Sequence, residues 1–395
     1  MKPLEGIRVL DFSRVLAGPM ATQILAELGA DVIKIERPGS GDEARQFEPR
    51  WPAGNSAYFS TFNRGKRSVT LDLKSVRGRE IALALIERAD VLVENMLPGR
   101  MARMGLGPEQ ARARNPGLIY ISNTGFGQTG PEADKPGYDT IFQALSGIMA
   151  LTGHPDGPPA KVGVPFADLS SGLWIVIAAL SAIAGRARSG HGAHVDLAMM
   201  DVQSSLMSIP AARHFALGEE PARTGTGHAG RVPSAAYQCA DGGWIQISAS
   251  DQHWPKLCEA LALADLAADD TLARNAGRLN ARARVDAGIG AAVAGLTREE
   301  AVARLAEAGV PAGPILTLSE ALTTDQAKAR DRVVTVQDPQ AGPVPGLRTP
   351  PRFDGYDDPE PLPPPQLGDA TDAVLGEDLG LSQAEIARLR EEGVI

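Results

Sequence analysis

The sequence predicts an α/β protein in which a large domain on a doubly wound parallel sheet is accompanied by a smaller α+β domain. Three observations carry this. Short apolar runs alternate with helical patterns through the N-terminal third, a second mixed pattern opens after Arg223, and the chain ends in a capped helix. At 395 residues it exceeds what one core normally serves.

Taken in order, Ile7 to Phe12 is a β-like stretch, Met20 to Leu28 is helical after Ala17-Gly18-Pro19, and Asp31 to Glu36 is a buried strand pattern. Together these make a βαβ unit. The alternation continues with Val69 to Leu73 extended, Gly78 to Ala89 helical, Val91 to Glu94 a strand and Leu118 to Ser122 another. Strands spaced by helices imply parallel pairing. Such sheets bind ligands beyond the carboxyl ends of their strands, which directs attention to the turns Ser13 to Gly18, Arg37 to Gly41 and Asn95 to Gly99. Gly18, Gly39 and Gly41 lack GxGxxG spacing, so no dinucleotide fingerprint is present.

Ile141, Phe142, Leu145, Ile148 and Met149 recur at helical spacing, which predicts one helix over Asp139 to Leu151. The turn-rich Gly153 to Gly163 then leads to Val164-Pro-Phe-Ala-Asp168, with Asp168 expected as the N-cap of an apolar helix. A carboxylate there would accept backbone N–H bonds and meet the positive helix end, which would keep it ionised. The smaller domain is expected over 216–320, with an extended run at Trp244 to Ser248, a helix from Trp254 and another opened by the capping box Thr297-Arg-Glu-Glu300. The large domain is expected over 1–215 and again over 321–395, where a last helix starts at Ser382-Gln-Ala-Glu385 after the Pro-rich Asp357 to Pro365.

A net charge of −9 argues against nucleic acid as a partner, since phosphate-backbone binding needs clustered cations. The longest apolar stretch, Leu173 to Ala184, falls short of the roughly 20 residues that span a bilayer and is read as a buried helix, with no membrane partner. The six histidines show no metal-ligand spacing, so no metal is expected. Two cysteines and an N-terminus without a signal pattern favour a cytoplasmic location.

Seven phrases stand in order along the chain: VLDFSRVLAGPMATQILAELGADVIKIERPGSGD, FNRGKRSVTLDLK, VENMLPGRMARMG, KPGYDTIFQALSGIMALTG, GPPAKVGVPFADLSSGLW, GHGAHVDLAMMD and GVPAGPI. They resemble the class III CoA-transferases, a group that includes formyl-CoA and carnitine CoA-transferases and α-methylacyl-CoA racemase. The resemblance implies a Rossmann-like large domain built from both chain ends, a small domain inserted between them, and an interlaced homodimer. It also implies coenzyme A or an acyl-CoA as substrate beside a carboxylic acid, with no metal or redox cofactor.

By that resemblance Asp168 is the nucleophile, forming a mixed anhydride and then an aspartyl-CoA thioester. Tyr138 falls where the racemase branch has His; a phenol with a pKa of about 10 is a poor base, which favours transfer over racemisation. Tyr138 is expected either to hydrogen-bond near Asp168 or the acyl group or to be a partly buried packing residue. Asp139 is read as a supporting carboxylate or as a helix-start residue. Val15, Ala17, Arg37, Leu71, Asn95, Met96, Arg103 and Met104 match CoA-contacting positions, and Lys135 stands beside Pro136 where the family can carry Lys. Leu16 replaces a Gln of the formyl-CoA enzyme, and that enzyme's glycine-rich flap is missing, so formyl and oxalyl specificity are not carried over. The loop bearing Arg223, His228 and Arg231 resembles relatives that use succinyl-type donors, and these residues are candidates to meet a distal carboxylate. A racemase and a non-catalytic CoA-binding protein are the alternatives.

Overall fold

A computed structural model describes residues 1–52 and 56–395. The chain divides into two compact units. The first comprises Met1–Ile148, Val162–Ala212 and Ala329–Ile395, and the second Met149–Lys161 and Arg213–Lys328.

The first unit is built on six parallel strands: β1 (Arg8–Asp11), β2 (Asp31–Glu36), β3 (Lys66–Thr70), β4 (Val91–Glu94), β5 (Ile119–Thr124) and β6 (His194–Ala198). Their order, β3-β2-β1-β4-β5-β6, reverses direction between β1 and β4. Asp31 to Glu36 and Val91 to Glu94 fall where the sequence puts them. The third strand begins at Lys66, three residues before the expected Val69, because Lys66 and Ser68 are buried polar residues that break the apolar signal. β6 escaped notice because its alternating exposed and half-buried pattern carries little hydrophobicity.

Helix α1 (Ala17–Glu27) buries Ala21, Leu25 and Ala26 against the sheet, and α2 (Val76–Ile86) covers the other face with Ile81, Ala82, Leu85 and Ile86. The C-terminal segment returns to this unit. Helix α6 (Gln383–Glu391) carries the expected capping box and places Ile386 and Leu389 in the same core as Leu10 and Ile33.

Two expectations are corrected here. The helix from Asp139 is interrupted: α3 ends at Leu145, Gly147 takes a left-handed φ of 90°, and a short turn follows at Ile148–Leu151. The apolar helix is α4 (Phe166–Ser189), 24 residues long and, by length and composition, long enough to cross a bilayer. It is not buried throughout. Ile175, Val176 and Ala179 enter the sheet core, worth about 1.5–3 kcal/mol for each larger side chain, whereas Leu173, Trp174, Ile177 and Leu180 form an exposed apolar stripe.

In the second unit β7 (Ser234–Gln238), β8 (Trp244–Ser248) and β9 (Ala312–Pro314) form an antiparallel sheet. Its core centres on Ile245, Ile247, Trp254, Val285 and Leu305. Helix α5 (Arg298–Glu307) has the predicted capping box between Thr297 and Glu300. Arg278 is fully buried there. It donates to the carbonyls of Val232 and Leu272, each at 2.7 Å, and to Asp251 at 2.6 Å, and its guanidinium lies 5.0 Å from the Trp254 ring centre.

Candidate active site

The turns after β1, β4 and β5 meet the start of α4 in a cleft lined by Val15, Leu16, Ala17, Asn95, Met96, Tyr138, Asp139 and Asp168. A neighbouring cavity is lined by Arg37, Asp42, Leu71, Met96 and Met104. Arg14, Met96 and Arg100 belong to both, so the two form one continuous trough over the strand ends. This is the position at which open parallel sheets hold ligands.

Asp168 occupies the first turn of α4, two residues inside the helix, and Pro165 is the N-cap. The cap comes from another element. Asp139, the first residue of α3, accepts the amide N–H groups of Ala167 (2.7 Å) and Asp168 (3.3 Å) through Oδ1. Its Oδ2 accepts from Gln143 Nε2 at 2.7 Å, and the Gln143 side-chain Oε1 accepts the Val162 amide at 2.9 Å. Asp139 therefore starts one helix and caps the next. Gln143, fully buried, was not singled out in the sequence; a polar residue one turn after a helix-start Asp is the signal that could have found it.

The Phe142 ring anchors this corner. A Cβ on Gly125 or on Gly137 would lie 2.4 Å from it, so both positions need glycine for close approach. The consequence is that α3 sits tight on the end of β5 and fixes Asp139 over α4.

The expectation that the helix end keeps Asp168 ionised is corrected. Burial, followed by the like charge of Asp139, raises its carboxyl to about 7. Asp139 has taken the N–H groups that would have stabilised the charge. Tyr58, which the sequence did not single out, has its phenol pushed up by burial and then by Asp168, which puts it within electrostatic reach of that carboxylate. Tyr138 is 81% exposed on the rim of the cleft that Asp168 lines, so it is not a partly buried packing residue.

Of the eight CoA-contact candidates, seven line the trough: Val15, Ala17, Arg37, Leu71, Asn95, Met96 and Met104. Arg103 does not, whereas Arg100, one turn earlier, lines both cavities. Lys135 reaches the rim with its ammonium paired to Glu132 at 2.6 Å. Arg223 donates to the carbonyls of Ala150, His154 and Gly157 and thus pins the Met149–Lys161 segment. His228 Nδ1 accepts from Gly230 at 3.0 Å, and Arg231 reaches Ser248 at 3.5 Å. Among the described residues no cluster of His, Cys, Asp or Glu could hold a metal ion.

A trough over the switch point of a parallel sheet, with a raised-pKa carboxylate at one end, is the ligand site of an open α/β enzyme fold and has room for an elongated ligand. More particularly, the chain belongs to CoA-transferase family III, whose family model matches residues 4–371. It is 38% identical to a succinate–glutarate CoA-transferase of Agrobacterium fabrum over 95% of each chain. It is 38% identical to an acetyl-CoA:oxalate CoA-transferase of Acetobacter aceti over 97% of each. A solved structure of a CaiB/BaiF family protein from Brucella suis superposes with a TM-score of 0.85 at 40% identity, covering 95% of this chain and 99% of that one. The chain is thus a CoA-transferase with acyl-CoA and a carboxylic acid as its substrates.

Proposed function

We propose that this CoA-transferase takes CoA from succinyl-CoA, or a similar dicarboxylic thioester, and passes it to a carboxylic acid through covalent intermediates on Asp168. The observation that carries the mechanism is the raised carboxyl of Asp168 at the end of the trough. The donor class rests on the relatives that act on succinate and glutarate.

The Asp168 carboxylate attacks the thioester carbonyl, the C–S bond breaks, and CoA leaves as thiolate with an anhydride on Asp168. The thiolate then attacks the Asp168 carbonyl, releasing the first acid and leaving an aspartyl-CoA thioester. The second acid reverses the sequence. An ordinary carboxylate is a far better leaving group than a thiolate of pKa about 8.5, so the first step runs uphill. At about 7 the Asp168 carboxyl lies only roughly 1.5 units below that thiol, which narrows the mismatch that proximity must offset. Asp139 is the positioning residue, since it holds the backbone of Asp168 and raises its basicity together.

Asn95, Met96, Leu71, Met104 and Arg37 are proposed to hold the pantetheine and adenosine parts, with Arg100 taking the role expected of Arg103. The exposed stripe of Leu173 (50% exposed), Trp174 and Ile177 (49% exposed) supports a homodimer, in which a second copy covers α4, and the family resemblance favours an interlaced one. Cys239 and Cys258 are both buried and unpaired, which supports a reducing, cytoplasmic setting.

Incubation with succinyl-CoA and hydroxylamine, followed by mass spectrometry of the Asp168 peptide, tests the mechanism. A hydroxamate present in wild type and absent in Asp168→Ala is expected. Absence of any adduct, with deuterium uptake at the α-carbon of a branched acyl-CoA, would favour racemisation instead.

A further inference from the structure

Val15 holds a backbone conformation that its side chain disfavours. Its φ is +70°, in the left-handed region, where a β-branched residue is an outlier costing on the order of 1–3 kcal/mol. Something must impose it. Val15 lies in the turn between β1 and α1, and residues 13 to 15 of that turn are each held from a different direction by buried or half-buried polar groups.

Ser13 donates its amide to Asp11 Oδ1 at 2.9 Å, and its carbonyl accepts from Lys34 Nζ at 2.9 Å. Arg14 is clamped at both backbone atoms by the Asn95 side chain, each at 2.9 Å. The Val15 amide is taken by the Asp42 carboxylate at 3.3 and 3.2 Å. Asp42 is itself fixed: Lys34 Nζ lies 2.9 Å from its Oδ2, and its backbone amide donates to Glu36 Oε1 at 2.8 Å. Both Lys34 and Asp42 are completely enclosed. Such a buried pair gains little stability over an apolar replacement, so its retention calls for a use in specifying geometry.

The use is visible at the next residues. Leu16 is the N-cap of α1 with no side-chain cap, so the amides of Leu16 and Ala17 have no intrahelical partner. Both residues are buried and line the same cleft as Asp168. A residue 15 with negative φ would turn those amides elsewhere.

We propose that Asp42 is a positioning residue for the transfer reaction: held by Lys34, it keeps Val15 left-handed, and that turn aims the Leu16 and Ala17 amides at the acyl group beside Asp168. The inference rests on the transferase reading above. Glycine adopts positive φ without cost, so the dependence on Asp42 disappears if residue 15 is glycine.

The test is a double-mutant cycle of Val15→Gly and Asp42→Ala in the full chain, reading kcat and KM for succinyl-CoA with glutarate as acceptor, together with the melting temperature. D42A, which leaves the Val15 amide without its acceptor, is expected to lower kcat roughly tenfold or more in the wild-type background and less than about threefold in the V15G background. Equal losses in both backgrounds, following the melting temperature, would mean that Asp42 only supports the fold and would overturn the assignment. Val15→Pro provides a second arm that keeps the Asp42 carboxylate but removes both the positive φ and the amide it accepts. Proline cannot reach positive φ, so V15P must fall at least tenfold below V15G, and V15P within threefold of V15G overturns the proposal. Wild-type protein that transfers no CoA and forms no Asp168 adduct sinks the transferase reading and this inference together, whereas an active wild type with an additive cycle sinks the inference alone.

Discussion

Removing the charge of Asp139 tests how the site sets the basicity of Asp168, the nucleophile proposed above. The Asp168 carboxyl is raised from 3.8 to about 7, a gap of roughly 3 units or about 4 kcal/mol between its two protonation states. Burial is the larger cause and Asp139 the second. Asp168 must be ionised to attack, so kcat/KM should rise with pH through about 7, and at pH 6 only about a tenth of the enzyme is competent. Asp139→Asn keeps an oxygen for the Ala167 and Asp168 amides and removes the like charge. Its profile should shift to lower pH yet remain above the ordinary carboxylate range, because burial is unchanged. The assay is steady-state transfer from succinyl-CoA between pH 5 and 9, with the hydroxamate yield at Asp168 as a chemical readout. A wild-type midpoint near 4, or a D139N midpoint above that of wild type, would refute the reasoning.

The same shift has a consequence for stability. A carboxyl whose folded-state pKa lies above its unfolded value binds more protons in the native state between pH 4 and 7, so it destabilises the fold increasingly as pH rises through that window. Asp168→Asn should therefore be more stable relative to wild type at pH 8 than at pH 5, measured by urea denaturation. Gly18→Ala would place a Cβ 2.3 Å from the Ser13 side chain, and the displaced turn should weaken CoA binding at least tenfold by calorimetry with little change in secondary structure. Arg278→Met leaves the Val232 and Leu272 carbonyls and Asp251 without their shared donor and should cost about 3–5 kcal/mol, seen as early melting of the second unit. Thr297→Ala removes the side-chain half of a capping box, leaving the residue 297 amide on Glu300, and should cost about 1 kcal/mol in denaturant titration.

Local chemistry made much of this protein readable in one dimension. The strands Asp31 to Glu36 and Val91 to Glu94, the helix from Trp254 and the capping boxes at Thr297 and Ser382 depend on neighbours within a few residues, and they lie where periodicity and cap residues put them. The ordered phrases shared with a known family pointed to the transferase class and nominated Asp168, the nucleophile proposed above. Other features needed the folded chain. β3 was misplaced because Lys66 and Ser68 look like surface residues until Asp11 and Glu36 are seen to bind them. The exposure of one face of α4 was hidden because an apolar helix reads the same whether its outer face meets solvent or core. Asp139 looked like either a helper or a helix start, and it proved to cap a helix beginning 27 positions later. The protonation of Asp168 was misjudged for the same reason. Helix-end stabilisation is a local effect visible in sequence, whereas desolvation and the charge of Asp139 depend on which distant residues the fold brings within a few ångströms, and a linear pattern contains no such distances.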